Sequence, residues 1–158
     1  MFNIGDRIVY PMHGAGIIVA LEEKEILGEK RKYFIMKMPM SDMKVMIPVD
    51  SVEEIGIRPV VGDEEIENVK LVLADDETAM SQNWNRRYRA NMDKIKSGDI
   101  YEIAGVVRNL VIRDREKGLS TGERKMLNNA KQMLVSEMVL SKEMENEEAE
   151  NLIEEIIK

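Results

Sequence analysis

Arg58-Pro59-Val60-Val61-Gly62-Asp63 is the stretch on which the fold turns, because the spacing of apolar residues changes across it. Upstream, the pattern is that of strands. Arg7–Tyr10 is short and apolar, and Ala15–Ile26 is a long β-rich run set apart by Pro11 and the turn at Gly14-Ala15-Gly16. After a turn at Leu27-Gly28-Glu29-Lys30, Phe34, Met36 and Met38 alternate with Tyr33, Ile35 and Lys37 in a strand over Arg31–Met38. In Met43–Val49, Met43, Val45 and Ile47 share one face, and Lys44 and Met46 take the other. Short strands with this punctuation predict a small barrel or strongly bent sheet of the SH3 or Tudor kind.

Downstream the period becomes helical. Val60–Leu73 reads as a first helix, and a second starts near Asn83 and stops at Ser97-Gly98. Asp99 with Glu102 predicts a reciprocal cap for a third helix, in which Ile100, Ile103, Ala104, Val107, Leu110 and Val111 form one buried stripe. Ser120-Thr121-Gly122-Glu123 predicts a capping box for a fourth, with Leu127, Ala130, Leu134 and Met138 inward. A last acidic helix uses Ala149, Leu152, Ile153 and Ile156. The reading is an α+β chain: a small Tudor/SH3-like β-barrel over residues 1–60, then an all-helical domain over 61–158.

Composition excludes several functions. The 158 residues hold no cysteine and one histidine, which removes disulfides, thiol nucleophiles and the usual zinc clusters. His13, between two strands, reads as a turn residue bonded to backbone rather than as a catalytic group. Gly14-Ala15-Gly16 lacks both the third glycine and the following helix of a phosphate loop. No enzyme, cofactor, metal or small-molecule substrate is expected. The longest apolar run, Ala15–Leu21, is seven residues against the ~20 that span a bilayer, and MFNIGDR lacks the regions of a signal peptide. A soluble cytoplasmic protein is expected.

The net charge of −7 argues against nucleic acid only as an average. Residues 82–132 carry 12 basic against 6 acidic side chains, and acidic segments flank them. A basic block between acidic ones fits a polyanion surface, although helix faces that merely alternate in sign give the same count. Within the block, Asn83-Trp84-Asn85-Arg86-Arg87-Tyr88-Arg89 holds the only tryptophan and three arginines. At ~100° per residue, Trp84, Tyr88, Met92 and Ile95 gather on one side, and Arg86 and Arg89 point away. Trp84 then has two readings: the start of an amphipathic core stripe, or an apolar wedge beside cations, of the kind that unstacks bases in a minor groove. Most of the 13 methionines read as core filler, but Met46 lies outward beside Lys44 on a strand that can accept a partner strand.

Five motifs carry a resemblance. They are Gly5-Asp6-Arg7-Ile8-Val9-Tyr10-Pro11-Met12-His13-Gly14, Asn83-Trp84-Asn85-Arg86-Arg87-Tyr88-Arg89-Ala90-Asn91, Ser97-Gly98-Asp99, Val106-Val107-Arg108-Asn109-Leu110 and Leu119-Ser120-Thr121-Gly122-Glu123-Arg124-Lys125-Met126-Leu127. Each is short, but the five in order along nearly the whole chain resemble the CarD (CarD/CdnL) family of bacterial RNA polymerase-binding regulators.

The resemblance implies a Tudor-like domain that docks on the lobe of the polymerase β subunit by strand pairing. The transcription-repair coupling factor resembles that domain and would compete for the same surface. It also implies a tryptophan, here Trp84, in the minor groove at the upstream edge of the transcription bubble. Arg86, Arg87 and Arg89 would hold the backbone beside it, and Arg124 and Lys125 join them as DNA-binding candidates. Polymerase-contact candidates are Lys24, Lys44 and Met46; the family pattern has arginine where Met46 stands, so a charge contact there is lost while strand pairing survives. The implied partners are the polymerase β subunit and promoter DNA of largely arbitrary sequence, in the bacterial cytoplasm and at the nucleoid through polymerase. The alternative function is a protein-only adaptor on polymerase, whose helical half docks a second protein.

Overall fold

A computed structural model describes residues 1–39 and 41–158. The first part is a five-stranded antiparallel sheet in the order β4-β3-β2-β1-β5, with β1 Arg7–Tyr10, β2 Gly14–Ile26, β3 Glu29–Lys37, β4 Lys44–Pro48 and β5 Arg58–Pro59. β2 and β3 meet through Leu27-Gly28 alone, both at positive φ, so Glu29 and Lys30 already belong to β3. Two positive φ values in a two-residue loop match the right-handed twist of the strands it joins. A bulge shifts the register between Ile18 and Ala20 of β2, and a bulge bends the strand that carries it.

One face of the sheet closes on Ile8, Ile18, Phe34, Met36 and Ile47 under Val52 and Ile57. Val52 opens, and Ile57 follows, a short helix, α1 Val52–Ile55, which itself follows a 3-10 turn at Val49–Ser51. Neither element has enough residues to show a period, so the sequence reading passed over both. Nor does the sequence assign a strand to Arg58-Pro59, which pairs with Ile8 and Val9 as the edge strand β5. Proline is tolerated there because an edge strand has one side free of ladder bonds.

The helices are α2 Asp63–Ala74, α3 Trp84–Lys96, α4 Ile100–Lys117, α5 Thr121–Lys142 and α6 Asn146–Ile156. α2 starts three residues later than its apolar pattern suggests. The Val60 N–H bonds the Arg7 carbonyl as a strand would, and the Val61 N–H bonds the Glu137 carboxylate. These bonds tie Val60 to β1 and Val61 to the Glu137 side chain ahead of the helix. α4 carries the expected apolar stripe, but Val106, Arg108, Asn109 and Ile112 are buried as well. It is the central helix, packed on α2, α3 and α5. α6 buries Ala149 and Ile153 and leaves Leu152 and Ile156 half-buried. No described helix is long and apolar enough to cross a membrane.

The second face of the sheet packs against α5. Val9 and Ala15 cluster with Leu140, and Ser136 Oγ accepts the Ala15 N–H at 2.9 Å. The contact depends on Gly14: its φ is +109°, and a Cβ there would stand 2.8 Å from Ser136 Oγ. Glu137 is buried on α5 and takes both Arg58 Nη atoms, at 2.7 and 2.8 Å.

Candidate functional site

Two surfaces carry the residues singled out by sequence. The first is where α3 begins. Asn83 Oδ1 accepts the Arg86 N–H at 3.0 Å, which satisfies one of the four unpaired amides at a helix start and fixes Trp84 as its first residue. Along the stripe Ile95, Met92, Tyr88, Trp84, burial falls from Ile95 at 2 % exposed to Trp84 at 41 %. Trp84 is therefore neither a core residue nor a free side chain. Its ring stacks on Tyr88 with centroids 5.0 Å apart at 19°, and its Nε1–H donates to Ser120 Oγ at 2.9 Å.

The arginines separate. Arg86 and Arg89 are exposed, and neither makes an ion pair among the described residues. Arg87 is buried, with Nε and Nη2 on the two oxygens of Glu123 at 2.7 and 3.2 Å, and Nη1 on the carbonyls of Ser81 and Gln82. The expectation that Arg87 holds a DNA backbone is corrected: its side chain is buried and each of its three nitrogens bonds inside the protein. The hydrogen bond from Arg87 keeps the Glu123 carboxyl below the usual carboxylate range, against the opposing effect of burial. Arg124 is tied to Asp114 at 2.7 Å, and Lys125 is exposed.

Two predicted capping boxes are half-formed, the one at α5 because of the Arg87–Glu123 pairing. Ser120 Oγ accepts the Glu123 N–H at 3.2 Å, but the Glu123 carboxylate turns to Arg87 and the Ser120 hydroxyl instead of the Ser120 amide. At α4, Asp99 Oδ1 accepts the Tyr101 N–H at 2.8 Å, while the Asp99 N–H goes to Ser97 Oγ and not to Glu102. The segment before α3 is pinned in turn. Asn109 exchanges hydrogen bonds with Thr78, and Asn91 reaches the Met80 sulfur.

The second surface is the sheet edge. β4 has a partner on one side only, so a row of backbone groups along Lys44–Pro48 faces outward. Met46 is 38 % exposed opposite Ile35, and Lys44 lies opposite Lys37. Lys24 is exposed, sits near Glu22 and pairs with Arg31, in an arm of β2 and β3 that runs on past the end of β4. Four residues separate Lys24 from Ala20, which is in the Met46 row, so the two lie about 13 Å apart along the strands. The structure groups Lys44 with Met46 and sets Lys24 apart. Met43, expected inward, is exposed because β4 begins one residue after it.

Residues 68–154 match the family model for the CarD C-terminal domain, and residues 2–61 match that for the CarD-like/TRCF RID domain. The chain is 46% identical over 142 residues to "Putative transcription factor YdeB" of Bacillus subtilis (strain 168), across 90% of this chain and 93% of that protein. The solution NMR structure of the 72-residue N-terminal domain of Myxococcus xanthus CarD matches at 34% identity and a TM-score of 0.33, over 37% of this chain and 79% of that one. A five-stranded sheet followed by helices, with family matches along both parts, defines a transcription regulator that acts on RNA polymerase. The chain belongs to the CarD family.

Proposed function

We propose that residues 1–60 bind the RNA polymerase β subunit through the β4 edge, and that residues 61–158 hold opened promoter DNA with Trp84 as a minor-groove wedge. The observation that carries this reading is the state of Trp84: an aromatic ring 41 % exposed at a helix start, anchored on one side, with exposed Arg86 and Arg89 close in sequence. Apolar rings unstack base steps, and arginines meet phosphates without reading sequence. Arg86, Arg89 and Lys125 are the cations left for that task.

Promoter opening is a near-balanced equilibrium, so stacking of ~1–3 kcal/mol shifts it about 5- to 150-fold. Polymerase brings the wedge to the bubble, and local concentration substitutes for affinity, which lets a chain of net charge −7 work on DNA. Trp84→Ala removes a stacked pair and one neutral hydrogen bond, together about 1–3 kcal/mol of fold stability besides the apolar area the ring covers. A fully buried ring would cost about 3–5. The expected result is a modest drop in melting temperature, unchanged binding to polymerase, and open-complex lifetimes shorter by about an order of magnitude. Lifetimes equal to wild type would sink the wedge and favour the protein-only adaptor.

A further inference from the structure

Trp84 is the one tryptophan of the chain, and its ring is held on one face and along one edge. Tyr88 supports one face. The edge bearing Nε1, Cζ2 and Cη2 is turned to the start of α5, where Ser120 takes the N–H and the Gly122 Cα faces the carbons. A Cβ at Gly122 would stand 3.2 Å from Trp84 Cζ2, closer than an unforced contact, so the ring lies where a side chain would otherwise be.

The Ser120 hydroxyl has one proton and two lone pairs, and all three are used. It donates to Glu123 Oε1 at 3.2 Å and accepts from the Glu123 N–H and the Trp84 indole. Because the proton is committed to an ionised carboxylate, the lone pairs stay aimed at the two N–H groups. Glu123 is itself gripped by Arg87, whose third donor returns to the carbonyls of Ser81 and Gln82, just ahead of Trp84. The bonds close a circuit between the start of α3 and the start of α5.

We infer that Ser120 and Gly122 are positioning residues for Trp84: together they hold the indole in one outward orientation before it meets DNA. The inference rests on the wedge reading. Its reason is preorganisation, since a ring already fixed loses little side-chain freedom on insertion. The same circuit gives the buried Arg87–Glu123 pair a task besides stability, namely holding the hydroxyl that holds the ring.

Two substitutions test this without removing α5. Ser120→Gly keeps most of the capping strength of an N-cap residue while deleting the hydroxyl. Gly122→Ala favours the helix by propensity but places a methyl against the ring. Ser120→Thr retains the hydroxyl and serves as rescue. Fluorescence reports this site alone, because no other tryptophan exists. Ser120→Gly should raise acrylamide quenching of Trp84 and shorten open-complex lifetime about fivefold, the worth of one neutral hydrogen bond. Gly122→Ala should shift the emission and shorten the lifetime in the same direction, and Ser120→Thr should match wild type in both. Polymerase binding should be constant throughout. With Trp84→Ala run alongside, wild-type lifetimes for Ser120→Gly and Gly122→Ala beside a lost effect for Trp84→Ala overturn the positioning inference alone. Equal losses in Ser120→Gly and Ser120→Thr, or longer lifetimes in Ser120→Gly, overturn it too. No effect of Trp84→Ala overturns both the wedge and what rests on it.

Discussion

Arg86, Arg87 and Arg89 lie within four positions, yet their substitution should have unlike consequences. Arg87→Ala leaves Glu123 as a buried charge without its guanidinium, at a cost of about 3–5 kcal/mol. Replacing both members with methionine should restore most of that, because the burden is the uncompensated charge and not the loss of the pair. Arg86→Ala and Arg89→Ala should leave melting within the ~0.5 kcal/mol typical of surface changes. Each should instead reduce the salt dependence of DNA binding by roughly one ion. Thermal melting beside a salt titration separates the two classes. Sequence could not: helical geometry says which residues share a side, but the partner that makes one side interior is 36 residues away. The stripe itself was legible for the opposite reason, since Trp84, Tyr88, Met92 and Ile95 are neighbours on one helix. Glu123 adds a pH signature. Its folded pKa is lowered, so its contribution is complete above the unfolded value of ~4.3 and is lost as pH falls through the folded one. Melting temperature should therefore fall as pH drops below about 4.3, and Glu123→Gln should make that acid-side slope shallower.

At the scale of elements, β4 combines two demands that a single substitution can pull apart. Lys44 faces Lys37 directly across the ladder, and like charges in register are unfavourable. A lysine on an edge strand also discourages pairing with stray chains. Lys44→Glu replaces repulsion by attraction and should stabilise the sheet by about 0.2–1 kcal/mol. The same change should weaken the complex with the polymerase β subunit, if β4 is the contact. Melting and a pull-down with a β-lobe fragment then move in opposite directions, which generic destabilisation cannot produce. Long strands and helices were readable from their period, and short β1 from its apolar run and the proline that ends it. α1, with four residues, and β5, with two, are too short to show a period. Burial all round α4 was hidden for a different reason: Arg108 and Asn109 look like a solvent face until their partners appear, the Val72 carbonyl and Thr78.

The whole molecule turns on the joint between sheet and helices, which the sequence presented only as a change of period. Across that change the chain is stitched. Arg58 of β5 and the Val61 N–H both bind Glu137 of α5, Ser141 Oγ donates to the Val61 carbonyl, and an Arg7 Nη donates to the Leu140 carbonyl. Nothing in residues 1–60 announces that the second face of the sheet, at Val9 and Ala15, needs a cover supplied about 120 to 130 positions later by Ser136 and Leu140. Glu137→Ala would leave a half-buried guanidinium and a backbone amide without their acceptor. Because Arg58 retains access to water, the cost should be about 1–3 kcal/mol, less than for Arg87. The functional effect should exceed that stability loss. If polymerase delivers Trp84 to the bubble through a rigid joint, loosening the joint spreads the ring over a larger volume and lowers its effective concentration at DNA. The variant should therefore keep wild-type affinity for the β subunit and still shorten open-complex lifetime, at a temperature where it remains folded. Glu137→Gln, which keeps an acceptor for Arg58 and Val61, should fall between the two. Lifetimes that follow only the folded fraction would mean that the joint holds the two parts together without aiming one from the other.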